Sequence, residues 1–118
     1  MENCIFCKIL KGEIPSKKIF ENEYTIAFND ITPQAPVHIL VIPRQHYAHI
    51  HDIPAENADI LSHLFQAVSK IVIQKGLIDN GYRLIINSGR DSGQEVPHIH
   101  VHILAGRHMR GLLGNKEG

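Results

Sequence analysis

The segment His98-Ile99-His100-Val101-His102-Ile103-Leu104 constrains this chain more than any other. β-Branched residues at 99, 101 and 103 make helix unattractive and strand favoured. Side chains alternate along a strand, so the three histidines share one face and the three aliphatic residues the other. A rise of about 3.3 Å per residue sets successive imidazoles about 6–7 Å apart. One face then feeds a core while the other offers titratable groups to a ligand. Three uses are open. The histidines can be a polar outer face by coincidence. They can be a metal site, since imidazoles at i and i+2 of a strand can share an ion. They can also serve nucleophilic catalysis, one ring attacking while the others position groups or move protons.

Composition narrows the choice. The chain has 118 residues, enough for one domain (1–118) with a core of its own. Its nine histidines outnumber the three Tyr and four Phe together, while twelve Lys+Arg balance twelve Asp+Glu. Zero net charge, no Trp and 6% aromatics leave neither the basic footprint nor the stacking platform of a nucleic-acid binder. The longest aliphatic stretch, Ile39-Leu40-Val41-Ile42, stops at Pro43, far short of the ~20 residues of a membrane span. The first residues, with Glu2 and no long apolar stretch, do not read as a signal peptide. The only cysteines, Cys4 and Cys7, form one C-x-x-C, unlike a secreted disulfide framework. The expected compartment is a reducing cytoplasm.

The pattern predicts a short helix over 5–10 and strands over 17–21, 24–29 and 38–42. A long helix follows from about Pro54 to Lys75, then strands over 82–87 and 98–104. Pro54 suits a first helical turn, Glu56 and Asp59 suit the positive N-terminal end, and Gly76 suits a stop. Leu61, Leu64, Phe65, Val68, Ile71 and Val72 make its apolar stripe. Residues from about 107 to 118 read as a polar, Gly-bearing tail. The resulting class is α+β with a mostly antiparallel sheet. One long helix cannot cover both sheet faces, so a homodimer is expected to bury the remainder.

Between the last two strands runs Asn87-Ser88-Gly89-Arg90-Asp91-Ser92-Gly93-Gln94. Such Gly-bearing polar loops can aim backbone N–H groups at an anion, though many are plain connections. Next to an alternating histidine strand, the loop tips the balance toward phosphate chemistry.

The run His98–Leu104, followed by Ala105-Gly106-Arg107, resembles the signature of the histidine triad (HIT) family. IFCKILKGEIPSKKIFE near the N-terminus, AFNDITPQAPVHILVIP over 27–43 and GYRLIINSGRDSGQEVPHIHVHILAGR over 81–107 extend the likeness over nearly the whole chain. They resemble the bacterial type of histidine triad nucleotide-binding proteins, small homodimeric purine nucleoside phosphoramidases. The resemblance implies a HIT-like fold: a five-stranded sheet with one long and one short helix, sheets joined across a homodimer. It implies His100 as the nucleophile on the α-phosphorus, His102 at the phosphate and in proton transfer, and His38 supporting the triad with His98. It places Asn87 near the phosphate, with Gln94, Glu95 and Val96 lining the approach. Asp30 would hydrogen-bond the ribose hydroxyls, two of which one carboxylate can accept. Ile5, Phe6, Ile9, Phe28 and Ile31 would form the purine slot, although by composition alone they read as core. Glu95 stands where many animal members have Ser, and Pro97 where an aromatic is usual. The tail lacks the Trp of some relatives.

The C-x-x-C admits a redox pair, half a zinc site, or two small residues. A resemblance to zinc-bearing bacterial members implies a structural Zn2+ on Cys4, Cys7, His46 and His98, leaving His100 and His102 for chemistry that itself needs no metal. His49, His51, His63 and His108 read as solvated surface. The function implied is hydrolysis of the P–N bond of purine nucleoside 5′-phosphoramidates to nucleoside monophosphate and amine, through a covalent nucleotidyl-histidine. The alternatives are a nucleotide-binding regulatory module with vestigial catalysis and a dinucleoside polyphosphate hydrolase. A purine nucleotide and a second copy of the chain are the expected partners, with no nucleic acid and no membrane.

Overall fold

The structure, a computed structural model, describes residues 3–113; residues 114–118 of the expected tail lie outside it. Helix α1 (Ile5–Leu10) is followed by strands β1 (Lys18–Glu21), β2 (Thr25–Asn29) and β3 (Val37–Pro43). Then come α2 (Asp59–Gln74), β4 (Arg83–Ile85) and β5 (Val101–Ala105). The strands form one antiparallel sheet in the order β1-β2-β3-β5-β4. Among the described residues, no helix is long and apolar enough to cross a membrane.

Alternation divides the sheet into two faces. Ala27, Ile39, Val41, Val101 and Ile103 pack under α2 with Leu64, Ala67, Val68, Ile71 and Val72. Ile26, Phe28, Leu40 and Ile42 face the other way, onto Phe6, Cys7 and Ile9 of α1. The short helix thus covers part of the face that the long one leaves, the face on which the histidines lie.

The β1–β2 turn has a local cause. Asn22 Oδ1 accepts from the backbone N–H groups of Tyr24 and Thr25 and from the Thr25 hydroxyl, each at 2.9 Å. The long helix departs from expectation at its start and in its apolar stripe, while its end at Gln74 agrees. Residues 55–57 are a separate 3-10 turn after Pro54, and the α-helix proper begins at Asp59. Phe65 is half exposed and Ala67 takes its place in the buried stripe.

The expected strand over 98–104 is regular only from Val101. Its register against β3 runs from Val37↔Ala105 to Val41↔Val101. Pro43, with no N–H, closes that ladder. The chain before Val101 turns to other partners: Ile99 N–H donates to the Tyr47 carbonyl and His98 N–H to the Val96 carbonyl, both at 2.8 Å. The strand expected over 82–87 is likewise shortened, to 83–85, leaving Asn87 in the loop.

Candidate active site

Alternation survives the irregular entry to β5. Ile99, Val101 and Ile103 are at most 1% exposed on the α2 side, while His98, His100 and His102 lie on the α1 side. The rings sit closer than a flat strand would place them: His100 and His102 centroids are 4.9 Å apart. Phe6 of α1 meets His100 edge-on at 5.1 Å and His98 at 5.8 Å, so the short helix walls in the triad.

Hydrogen-bond partners assign a proton to each ring. His100 Nδ1 lies 2.7 Å from the His98 carbonyl oxygen. A carbonyl only accepts, so Nδ1 carries the hydrogen and Nε2 holds a lone pair. His38 Nδ1 accepts the Gln34 backbone N–H at 3.0 Å, so its Nε2 carries the hydrogen, 2.9 Å from His102 Nδ1. His102 therefore accepts at Nδ1 and bears its own hydrogen on Nε2. Asp30 Oδ2 lies 3.5 Å from His38 Nε2.

All these rings are held neutral. Burial lowers the pKa of His38, with Asp30 opposing, and lowers that of His100, with the His98 carbonyl, Asp30 and Glu95 opposing. Burial first, then the neighbouring His100 and His38, bring His102 down to about 4. A neutral imidazole with a free Nε2, beside a second that presents Nε2–H, sets a nucleophile next to a hydrogen-bond donor that can pass a proton on once it has gained one.

His98 serves a different cluster. Its Nε2 hydrogen is donated to the Pro43 carbonyl at 2.9 Å, which turns the Nδ1 lone pair toward Cys4, Cys7 and His46. Four of the six edges of this group are His46 Nδ1–His98 Nδ1 3.1 Å, Cys7 Sγ–His46 Nδ1 3.2 Å, Cys4 Sγ–His98 Nδ1 3.5 Å and Cys7 Sγ–His98 Nδ1 3.7 Å, and all four ligand atoms lie within 4.8 Å of one another. Tetrahedral zinc on two sulfurs and two nitrogens has edges of about 3.3–3.8 Å. The Pro43 carbonyl is the outer-shell acceptor that a ligating histidine commonly has. Burial, then Cys4 beside it, push the Cys7 thiol up, so the pair gains from a compensating cation. The four residues fit the ion.

The remaining expected residues are spread around this centre. Asp30 has one oxygen committed: Oδ1 accepts from Thr32 N–H at 2.8 Å and the Thr32 hydroxyl at 3.1 Å. Phe6, Ile9 and Phe28 are buried, Val96 packs against them, and Ile5 and Ile31 stand exposed, Ile31 at 93%. Asn87 is half-buried and Glu95 exposed. Gln94 holds the loop together: its Oε1 accepts Gly89 N–H at 2.8 Å, and its Nε2 donates to the carbonyls of Ala48 and Val96 at 2.9 and 3.0 Å. Gly93 and Gln94 N–H are also bonded within the loop, so these three backbone donors are spent internally rather than offered to an anion. Three contributors carry no signal in the sequence because they act through backbone atoms: the carbonyls of Pro43 and Tyr47 and the N–H of Gln34.

Comparison with known proteins accords with this geometry. The HIT domain profile matches residues 11–109. The purine nucleoside phosphoramidase of Escherichia coli (strain K12) is 44% identical over 115 residues, 98% of this chain and 97% of that protein. The structure of a histidine triad protein from Clostridium difficile superposes with a TM-score of 0.90 at 50% identity, covering 94% of this chain and 96% of that one. A HIT family hydrolase from Legionella pneumophila Philadelphia 1 also gives 0.90, at 45% identity, covering 95% and 100% of the two chains.

Proposed function

The chain belongs to the HIT family, and from that premise we propose that it hydrolyses purine nucleoside 5′-phosphoramidates to nucleoside monophosphate and amine. The observation that carries this reading is the pair of assigned tautomers, His100 with a bare Nε2 and His102 with Nε2–H, 4.9 Å apart between ring centroids. His100 Nε2 attacks the α-phosphorus and the P–N bond breaks. The nitrogen leaves as the amine with a proton that solvent supplies by way of His102, the ring carrying a second proton only while the charge of the substrate's phosphate lies beside it. Water then attacks phosphorus, the His100–phosphorus bond breaks, and one proton of that water replaces the one lent. The net change is phosphoramidate plus water to monophosphate plus amine. Neutral His100 is nucleophilic without prior deprotonation, which its lowered pKa secures at neutral pH.

Asp30 offers its less committed oxygen, Oδ2, to the ribose hydroxyls, close to the His38–His102 pair that it also steadies. The purine slot is built on buried Phe6, Ile9 and Phe28, with exposed Ile5 and Ile31 as the apolar surfaces left for a base. Asn87, Glu95 and Val96 border the phosphate and leaving-group side, with Gln94 shaping the loop that carries them. Cys4, Cys7, His46 and His98 would hold Zn2+, which supplies a structural tie between α1 and the sheet and no chemical step. The expected reducing cytoplasm would keep both thiols available to the ion. A homodimer would cover the exposed Leu84 of the edge strand β4 and its neighbour Tyr82.

The test is release of AMP from an adenosine 5′-phosphoramidate bearing a small alkylamine, with His100→Ala alongside. Turnover by the wild type alone is the expected result. Equal, negligible release by both proteins despite AMP binding would overturn the reading in favour of a nucleotide-binding module.

A further inference from the structure

The loop between β2 and β3 carries Asp30 at one end and His38 at the other, and its shape decides where His38 stands. Asp30 N–H donates to the His38 carbonyl at 2.9 Å, closing the loop at its base. Inside it, Asp30 Oδ1 holds Thr32, and Gln34 Nε2 donates to the Thr32 carbonyl at 3.3 Å. Gln34 N–H then supplies the bond to His38 Nδ1. None of these contacts ties the tip of the loop to the rest of the molecule.

That tie comes from the far end of the histidine strand. Arg107, two residues after β5, sends Nε and Nη2 to the Gln34 carbonyl oxygen at 3.1 and 2.9 Å. Beside it the Pro36 ring lies so close to the Gly106 backbone that a Cβ on Gly106 would stand 2.8 Å from Pro36 Cβ. The Arg107 side chain is exposed and forms no salt bridge among the described residues; its remaining bond is Nη1 to the His108 carbonyl at 3.3 Å. A guanidinium with two N–H groups on one carbonyl holds a direction as well as a position, which an ammonium cannot.

We propose that Arg107 is a positioning residue for the reaction: by clamping the Gln34 carbonyl it fixes the backbone of that residue, whose N–H across the same Cα is thereby aimed at His38 Nδ1, and so keeps His38 Nε2–H on His102 Nδ1. The line runs Arg107 to Gln34 carbonyl, Gln34 N–H to His38, His38 to His102, each link between 2.9 and 3.1 Å. Releasing the clamp lets the loop tip move, lets the His38 ring turn, and leaves His102 without the partner that fixes which nitrogen bears its hydrogen. Arg107 touches no reacting atom, so binding of the nucleotide is affected little. The inference rests on the reading of His102 as proton donor.

Steady-state kinetics on the adenosine phosphoramidate, with Arg107→Ala and Arg107→Lys compared with the wild type, test it. Both variants should lose about tenfold or more in kcat, part of the ~10²–10⁴ a general acid supplies, with KM changed less than about twofold. The spectroscopic signature is in the full chain: the Gln34 amide proton and the His38 Nδ1 and His102 nitrogen resonances should shift in both variants, while thermal unfolding shows them folded. Unchanged kcat, unchanged nitrogen resonances, or full rescue by Arg107→Lys would overturn the clamp. If Arg107→Ala does not fold, Arg107→Lys alone decides. A wild type inactive on phosphoramidates would instead count against the phosphoramidase reading, and the nitrogen resonances would still judge the clamp.

Discussion

Acidification should destabilise this protein through His102, by an amount that follows from its surroundings. The ring is partly buried between His38 and His100, and that burial first, then the two neighbouring rings, bring its pKa from 6.5 to about 4. In the unfolded chain it protonates near 6.5. Between these values the unfolded state binds a proton that the folded state refuses, so stability falls as pH falls through the window and the full penalty is reached below about pH 4. A fall from 6.5 to about 4 corresponds, at 1.36 kcal/mol per pH unit, to at most about 3 kcal/mol, reduced by the solvent that reaches the partly exposed ring. That is a large share of the ~5–15 kcal/mol that holds a domain together. The measurement is urea unfolding of wild type and His102→Gln at a series of pH values between about 7 and 4. The histidines away from this ring titrate alike in both proteins, so the difference between the two curves reads His102 together with its coupling to His38 and His100. Wild type should lose up to about 3 kcal/mol relative to His102→Gln across the window, and nitrogen NMR should place the His102 titration near its low end. Parallel curves, or a His102 midpoint near 6.5, would refute the argument that burial and neighbouring rings keep it neutral.

Three further outcomes follow from the same geometry. Chelation, or Cys7→Ser, should lower the melting temperature by several degrees, since a ligand bound only by the folded state at ~100 times its Kd contributes about 2.7 kcal/mol; differential scanning calorimetry with and without added zinc reads this. Leu64→Ala, at a fully buried position of α2 against the sheet, should cost about 2–5 kcal/mol in denaturant unfolding while leaving KM for the phosphoramidate unchanged. Asp30→Asn should raise KM for the ribonucleoside substrate by about 10–100-fold, the worth of a hydrogen bond to a charged group, and the 2′,3′-dideoxy analogue should show little of that difference.

The alternation of His98–Ile103 determined by itself that three imidazoles would share one face over an apolar one, because β-branched residues allow little but extended backbone there. The element order, the sheet class and the split between a long and a short helix were legible for the same reason: each rests on side-chain identity and spacing. The pairing of the C-x-x-C with His46 and His98, which the fold brings together, was implied by the likeness to zinc-bearing HIT proteins and not by spacing. The likeness to the HIT family added the role of His100, which spacing alone could not separate from that of its neighbours. What only the tertiary structure decided is carried by backbone groups that every sequence possesses. The carbonyl of His98 sets the tautomer of His100, that of Pro43 turns His98 toward the cysteines, and Gln34 N–H directs His38 onto His102. The same holds for the late start of β5: it depends on Pro43 ending the ladder and on Tyr47 capturing Ile99, partners 56 and 52 positions away along the chain from residues 99. Side chains told which groups could do chemistry here; which nitrogen of each ring carries its proton was settled by folded backbone, because a tautomer answers to the nearest donor or acceptor and not to its own residue type.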